Sequence, residues 1–304
     1  MKIALIDNSS KELLEISRLL GDSSTVFKSV YEFEKVQASF DSVYCPKYDE
    51  LLKIKVRVPY FYDISPKSLL DEMSYYSFAK HYSQLSGPRA VFVCDKKLNK
   101  SSKWLGLNTY WVNSSVDSDI LPIKKKFLTP KLDIGYIYEN AEGFELLKKV
   151  IFAKKSNWVF HIYCPDEISS EIKNNETIFY SGDLNRVKKE IYSKTHIFLN
   201  YTILNNNMSE CFPDINSLEA MTHGCALISS NPHGNNTSVF FDDLNYLKLD
   251  YIDANTILDA LRYADKKRGK LESISKEGRL DSAKYFNYKD TAIQKVSVLL
   301  RYIK

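Results

Sequence analysis

Short uninterrupted apolar runs alternate along the chain with longer segments whose apolar residues recur every three or four positions. The runs predict strands buried on both faces, as in parallel sheets, and the longer segments predict amphipathic helices. Lys2 to Asp7 is the first such run. Ser9 or Ser10 can cap the helix after it, which reaches about Leu20 and ends at Gly21. Ser42 to Cys45 and Ile54 to Tyr62 predict two more strands. At the end of the second, Asp63 caps a turn into a helix from about Lys67 to Leu85. Arg89 to Cys94 predicts the next strand, and Asn113 to Asp117 a polar loop.

The pattern restarts after Lys124-Lys125-Lys126 and Pro130, a basic, proline-containing stretch read as a solvated linker. Lys131 to Tyr138, Trp158 to Cys164, Thr177 to Tyr180 and Thr195 to Asn200 read as strands. Helices lie between them at Gly143 to Val150 and Asn185 to Ser193. Beyond come a helix from Ala254 to Arg268 and a final helix ending at Tyr302. This order predicts two α/β domains, residues 1–128 and 129–304, with no internal sequence repeat.

The most informative stretch is Ser209 to Asn231, SECFPDINSLEAMTHGCALISSN. It reads as loop, short helix and buried strand. Asn216 or Ser217 can cap the helix, Asn216 and Glu219 have capping-box spacing, and Gly224 ends it. A polar loop opening a helix beside a parallel strand is where α/β proteins bind anionic ligands.

Composition narrows the class only a little. The net charge is +4 and the chain is 26% charged, which does not suggest a nucleic-acid binder. The basic excess lies in the N-terminal half. Five scattered cysteines without metal-ligand spacing suit a reducing compartment, with Cys94, Cys164 and Cys225 as core thiols. No signal peptide or membrane-spanning run is read. His161 is expected in the core. His223, near a helix C-terminus, is expected to favour its charged form.

The stretch from Ser209 resembles the donor-site signature of retaining GT-B glycosyltransferases of family 4. There two glutamates flank a Phe-Pro pair and Leu-Glu-Ala-Met, before a glycine and an apolar strand. Residues 90–117 are similar to the segment that closes the N-terminal domain of that family. The resemblance implies a GT-B fold, two Rossmann-like domains facing across a cleft, with the last helix returning to the N-terminal domain. It implies sugar transfer from a nucleotide-sugar to a glycan or lipid-linked glycan acceptor, without a metal or a separate cofactor and with no nucleic acid. It implies surface-polysaccharide assembly at a cytoplasmic site, with peripheral membrane or partner-enzyme association.

By the same resemblance Glu210 touches the donor sugar and Glu219 the nucleotide ribose. Phe212, Pro213, Asp214, Ile215, Asn216, Ser217 and Gly182 surround the donor. Eight residues separate the two glutamates, where the family has seven. Tyr62 stands where the family has a sugar-binding histidine. Ile134-Gly135-Tyr136 and Ala141-Glu142-Gly143 match a Gly-Arg…Glu-Lys-Gly pattern, with Tyr136 in place of the arginine and Glu142 in place of the lysine. Three explanations stay open: cations moved to Arg186, Lys188 or Lys124; a donor with one phosphate; or a non-catalytic GT-B subunit that binds carbohydrate.

Overall fold

The computed structural model describes residues 2–7, 10–51, 53–64, 88–94, 96–104, 106, 108–120, 123–169, 172, 176–201, 215–230 and 239–302. They form two compact units. One gathers the chain up to Ser115 with the chain from Phe286 onward, and the other holds the described residues between Val116 and Tyr285.

The first unit is built on a six-stranded parallel sheet: β1 (Ile3–Ile6), β2 (Ser24–Phe27), β3 (Ser42–Cys45), β4 (Tyr60–Ile64), β5 (Pro88–Val93) and β6 (Thr109–Trp111), in the order β2-β1-β3-β4-β5-β6. Successive strand residues point to opposite faces. Ile3, Leu5, Tyr44, Phe61 and Phe92 share one face with Leu13 and Ile16 of the Lys11–Leu20 helix and with Ala292, Val296 and Leu299 of the Tyr288–Tyr302 helix. Ala4, Ile6, Val43, Tyr62 and Val91 cover the other face with Val30 and Phe33. Ser10 caps the first helix, accepting from the backbone N–H of Leu13 at 3.1 Å.

Two strands differ from expectation: β2 is not read from the sequence, and β4 has other bounds. β4 starts at Tyr60 rather than Ile54 and runs through Asp63 to Ile64. Asp63 is therefore a strand residue, not a turn cap. Its carboxylate accepts from Lys295 Nζ at 2.6 Å and from Tyr44 OH at 2.9 Å. Lys295 also reaches Glu12 Oε1 at 2.5 Å, and Ser115 donates to the same glutamate. The predicted helix from Lys67 to Leu85 lies outside the described residues.

The second unit holds another six-stranded parallel sheet: β7 (Leu132–Ile137), β8 (Trp158–Tyr163), β9 (Thr177–Tyr180), β10 (Ile197–Asn200), β11 (Ala226–Ser230) and β12 (Leu247–Leu249). The order is β12-β11-β10-β7-β8-β9. The chain runs outward from β7 through β9, then returns to start again at β10 on the opposite side of β7. That reversal makes the C-terminal ends of β7 and β10 a topological switch point, where open α/β sheets bind ligands.

The linker is not simply solvated. Lys125 Nζ donates to the carbonyls of Tyr192 and Thr195, each at 2.6 Å, and lies 2.8 Å from Cys225 Sγ. It thereby satisfies carbonyls at the C-terminal end of the Leu184–Lys194 helix, where a lysine is electrostatically favoured. Cys164 and Cys225 are buried as expected, while Cys94 is only half-buried.

A helix not read from the sequence, Arg268–Tyr285, follows the helix Ala254–Lys266. Its buried side includes Ser275, Gly278 and Ser282, so its apolar stripe is thin. Gly278 is there for closeness. A Cβ on it would lie 2.5 Å from the Asn245 carbonyl oxygen and 2.8 Å from Met221 Cε. Gly278→Ala gains about 1 kcal/mol of helix propensity. It is nevertheless expected to lower stability by about 1–3 kcal/mol, because backbone must move to admit the methyl. A urea midpoint above wild type would contradict this packing.

Candidate functional site

The switch point of the second unit is built from four pieces of chain. Tyr136 is the penultimate residue of β7. Asn140 caps the Ala141–Phe152 helix, its Oδ1 accepting from the Gly143 N–H at 2.7 Å. Tyr201 follows β10 and donates to the Gly143 carbonyl at 3.2 Å. The helix Ile215–Thr222 brings Asn216, whose Nδ2 donates to Glu139 Oε1 at 3.2 Å. The Tyr136 and Tyr201 rings lie 5.7 Å apart, centroid to centroid.

Helix Ile215–Thr222 begins one residue before Asn216, so Asn216 and Ser217 are inside it and are not its caps. Their side chains tie the helix to the sheet instead: Ser217 Oγ accepts from Asn200 Nδ2 of β10 at 2.5 Å. Glu219 does not close a capping box either. Its carboxylate lies 3.4 Å from Lys188 Nζ and 3.5 Å from Tyr192 OH and is about one-third exposed. These long contacts leave acceptor capacity on the carboxylate. Gly224 ends the helix as read, at φ +79°, and the Cys225 N–H closes the turn on the Ala220 carbonyl at 3.0 Å.

The other expected donor contacts are dispersed. Ile215 is exposed at the helix start. Gly182 adopts φ +103° in the turn after β9, two strands from β7, and its carbonyl accepts from Tyr163 OH at 3.4 Å. Tyr62 belongs to the first unit, fully buried on the sheet face it shares with Val30 and Phe33 and stacked on Tyr60. Glu210, Phe212, Pro213 and Asp214 lie outside the described residues. Of the three cations considered, Lys188 alone is paired with Glu219; Lys124 and Arg186 are exposed.

Electrostatics at the switch point are acidic. The described residues that follow the C-terminal ends of the strands are 138–140, 164–165, 181–183, 201, 239–246 and 250–253. They contain no lysine or arginine, and every side chain among them that is charged near neutral pH is an aspartate or glutamate. Burial holds the Tyr136 hydroxyl, and likewise that of Tyr201, far above its ordinary pKa, so both are neutral phenols.

Two of the described histidines, His223 and His161, have partners within the fold. Burial lowers the pKa of His223, outweighing the bond from its Nδ1 to the Glu219 carbonyl at 2.7 Å. It is thus held neutral rather than charged, because desolvation exceeds the helix-end attraction. His161, buried as expected, bridges Tyr180 OH at 2.9 Å and Asp133 Oδ1 at 3.0 Å.

Asp117-Ser118-Asp119 has Asp-x-Asp spacing, but Asp117 Oδ1 accepts from the Asp119 N–H at 3.1 Å, an Asx turn. Among the described residues no group of three or more histidines, cysteines or acids is placed to hold a metal ion. No described helix is long and apolar enough to cross a membrane.

The sequence reading missed Glu139, Asn140 and Tyr201. Asn140 had a signal, an N-cap residue just before a helical repeat. Glu139 and Tyr201 had none, since their partners lie 77 and 58 residues away.

No protein-family model matches the chain, and no curated protein matches it. Solved structures do. HepE of Anabaena, in complex with UDP-glucose, is 11% identical, with 99% of each chain covered and a TM-score of 0.73. Sucrose-phosphate synthase of Thermosynechococcus elongatus is 11% identical over 99% of this chain and 98% of that one, TM-score 0.69. A glycosyltransferase of Rickettsia africae is 10% identical over 100% and 98%, TM-score 0.66. Two parallel-sheet α/β units in this arrangement of strands, matched over nearly the full length of these proteins, give the chain the GT-B fold.

Proposed function

We propose that this protein is a glycosyltransferase that moves a sugar from a nucleotide-sugar to a glycan or glycolipid acceptor. The observation that carries the reading is Glu219. It sits on the helix beside the switch point of a sheet with dinucleotide-fold strand order, with a carboxylate still able to accept hydrogen bonds. A partly exposed carboxylate in that position suits the paired hydroxyls of a ribose. HepE, of the same fold, was solved with UDP-glucose. The resemblance of the 209–231 stretch to the retaining family 4 signature points to the same chemistry, run without a bound metal and in surface-polysaccharide assembly on the cytoplasmic side of a membrane. Glu210 is proposed to orient the donor sugar.

Glu219→Gln is expected to weaken nucleotide binding roughly tenfold to a hundredfold, since a charge-assisted bond to a hydroxyl becomes a neutral one. Isothermal titration of the wild type and the variant with UDP, GDP and ADP checks this. Release of free nucleotide from sugar donors with crude glycan acceptor checks the activity.

A second reading has an observation of its own. The absence of lysine and arginine from the described residues that follow the strand ends favours a GT-B subunit that binds carbohydrate without turning over a donor. Nucleotide binding unchanged in Glu219→Gln, together with no release from any donor, selects that reading.

A further inference from the structure

Two buried polar atoms at the switch point have no hydrogen-bond partner: the Tyr136 hydroxyl and Asn216 Oδ1. Both residues are more than nine-tenths buried. An unsatisfied buried polar group forfeits its hydration with nothing in return, so such atoms call for a partner. What they can accept as partner is set by chemistry. The Asn216 amide is oriented, because its Nδ2 already donates to Glu139. The oxygen left over can only accept. The Tyr136 hydroxyl, a neutral phenol, can donate or accept. Gly143 keeps the space beside that hydroxyl clear, since a Cβ there would stand 3.2 Å from it.

A phosphate suits this pair poorly. Its oxygens accept, so only Tyr136 could serve them, and Asn216 Oδ1 and the Glu139 carboxylate would repel them. The helix N-terminus at Ala141 would ordinarily invite an anion. Here Asn140 already fills the Gly143 N–H, and Glu139 and Glu142 bring negative charge to the same end. The described residues after the neighbouring strand ends offer no lysine or arginine. A sugar hydroxyl both donates and accepts. It can give its hydrogen to Asn216 Oδ1 or receive that of Tyr136.

We infer that the switch point of the second unit reads hydroxyl groups of the donor, those of the ribose or of the transferred sugar, through Tyr136 and Asn216, and that the phosphates are held elsewhere. This rests on the nucleotide-sugar reading above.

The test is titration calorimetry of wild type, Tyr136→Phe and Asn216→Ala with UMP, UDP, 2′-deoxy-UDP and UDP-glucose, after thermal melts show that the variants fold. Loss of one buried neutral hydrogen bond is expected to weaken binding about tenfold. If the ribose is read, the loss is seen with UDP and absent with 2′-deoxy-UDP. If the transferred sugar is read, it is seen with UDP-glucose and absent with UDP. In either case the affinity gained from UMP to UDP stays as in wild type. A shrunken UMP-to-UDP step would place the phosphates at Tyr136 and overturn the inference. Unchanged affinities for all four ligands would overturn it too, leaving the two atoms to buried water.

Failure of the wild type to bind any of the four would count against the nucleotide-sugar reading itself. The hydroxyl contact is then tested with maltose by saturation-transfer NMR. A signal diminished in both variants supports it, and no signal, or one unchanged in the variants, overturns it.

Discussion

Lys295→Met is expected to destabilise the protein by about 3 kcal/mol or more, read from urea unfolding at pH 7. Lys295 is a lysine almost wholly buried between carboxylates. Its ammonium lies 2.5 Å from Glu12, 2.6 Å from Asp63 and 2.9 Å from Tyr44 OH, joining the first helix, two central strands and the last helix. Burial alone would lower its pKa. Attraction to Asp63, Tyr44 and Glu12 outweighs that and holds it well above the ordinary lysine value. Methionine keeps the volume but leaves two acids facing each other without their cation. The variant carrying Lys295→Met, Glu12→Gln and Asp63→Asn together is expected to recover most of the loss, because it buries no uncompensated charge. Equal losses in the single and triple variants would show that packing, not charge, is what Lys295 supplies.

The same cluster predicts a pH signature. Burial, the largest cause, raises the Asp63 pKa from 3.8 to about 6 against the opposing pull of Lys295. Between those values the folded state binds a proton that the unfolded state does not. Stability from this group is therefore greatest at low pH and falls as pH rises from 4 through 6. Asp63→Asn lacks this slope. Relative to that variant, the wild type should lose on the order of 2–3 kcal/mol between pH 4 and pH 7. A difference flat with pH would rule out the raised carboxyl.

Asp265→Ala is expected to cost about 2–4 kcal/mol, by removing the acceptor of a half-buried network in the other unit. Asp265 receives Arg268 Nη2 at 2.7 Å, Trp158 Nε1 at 3.1 Å and Asn157 Nδ2 at 3.3 Å. The Arg268 side chain is only 10% exposed, so the substitution leaves its guanidinium with only the carbonyls of Phe127 and Lys131 and the indole N–H without its acceptor. Here the pH dependence runs the other way. Burial would raise the Asp265 pKa, but the bonds from Trp158, Arg268 and Asn157 prevail and lower it. Its contribution is complete above the usual carboxylate pKa near 3.8 and is lost as pH falls through its lowered value. The stability gap between wild type and Asp265→Asn should therefore be constant from pH 5 to 7 and close only below pH 4. A gap that widens on acidification would contradict the assignment.

Asp63 shows where reading the chain in order stops working. Asp63 sits before Ile64-Ser65-Pro66, a sequence that signals a turn, and local rules make it a cap. Its real partner is Lys295, 232 residues later. A lysine on an amphipathic helix looks solvent-facing until the helix is docked. Asn216 and Ser217 are similar, since their polarity and spacing suggested a helix start. The side chains instead face Glu139 and Asn200, which only the sheet brings close. Even Lys125, in what reads as a basic linker, is claimed by carbonyls at the end of a helix.

By itself the sequence determined the local and the repetitive. Apolar runs located most of the strands, amphipathic periods most of the helices, Ser10 the first cap and Gly224 the left-handed stop, because each depends on residues within a turn or two. It also carried the resemblance from which the GT-B fold and Glu219 were expected. Tertiary structure alone decided the strand order that creates the switch point and the pairing of buried charges. It also left the Tyr136 hydroxyl and Asn216 Oδ1 without partners. Those depend on which groups meet across the fold, and a buried polar atom is costly or useful only according to what it meets.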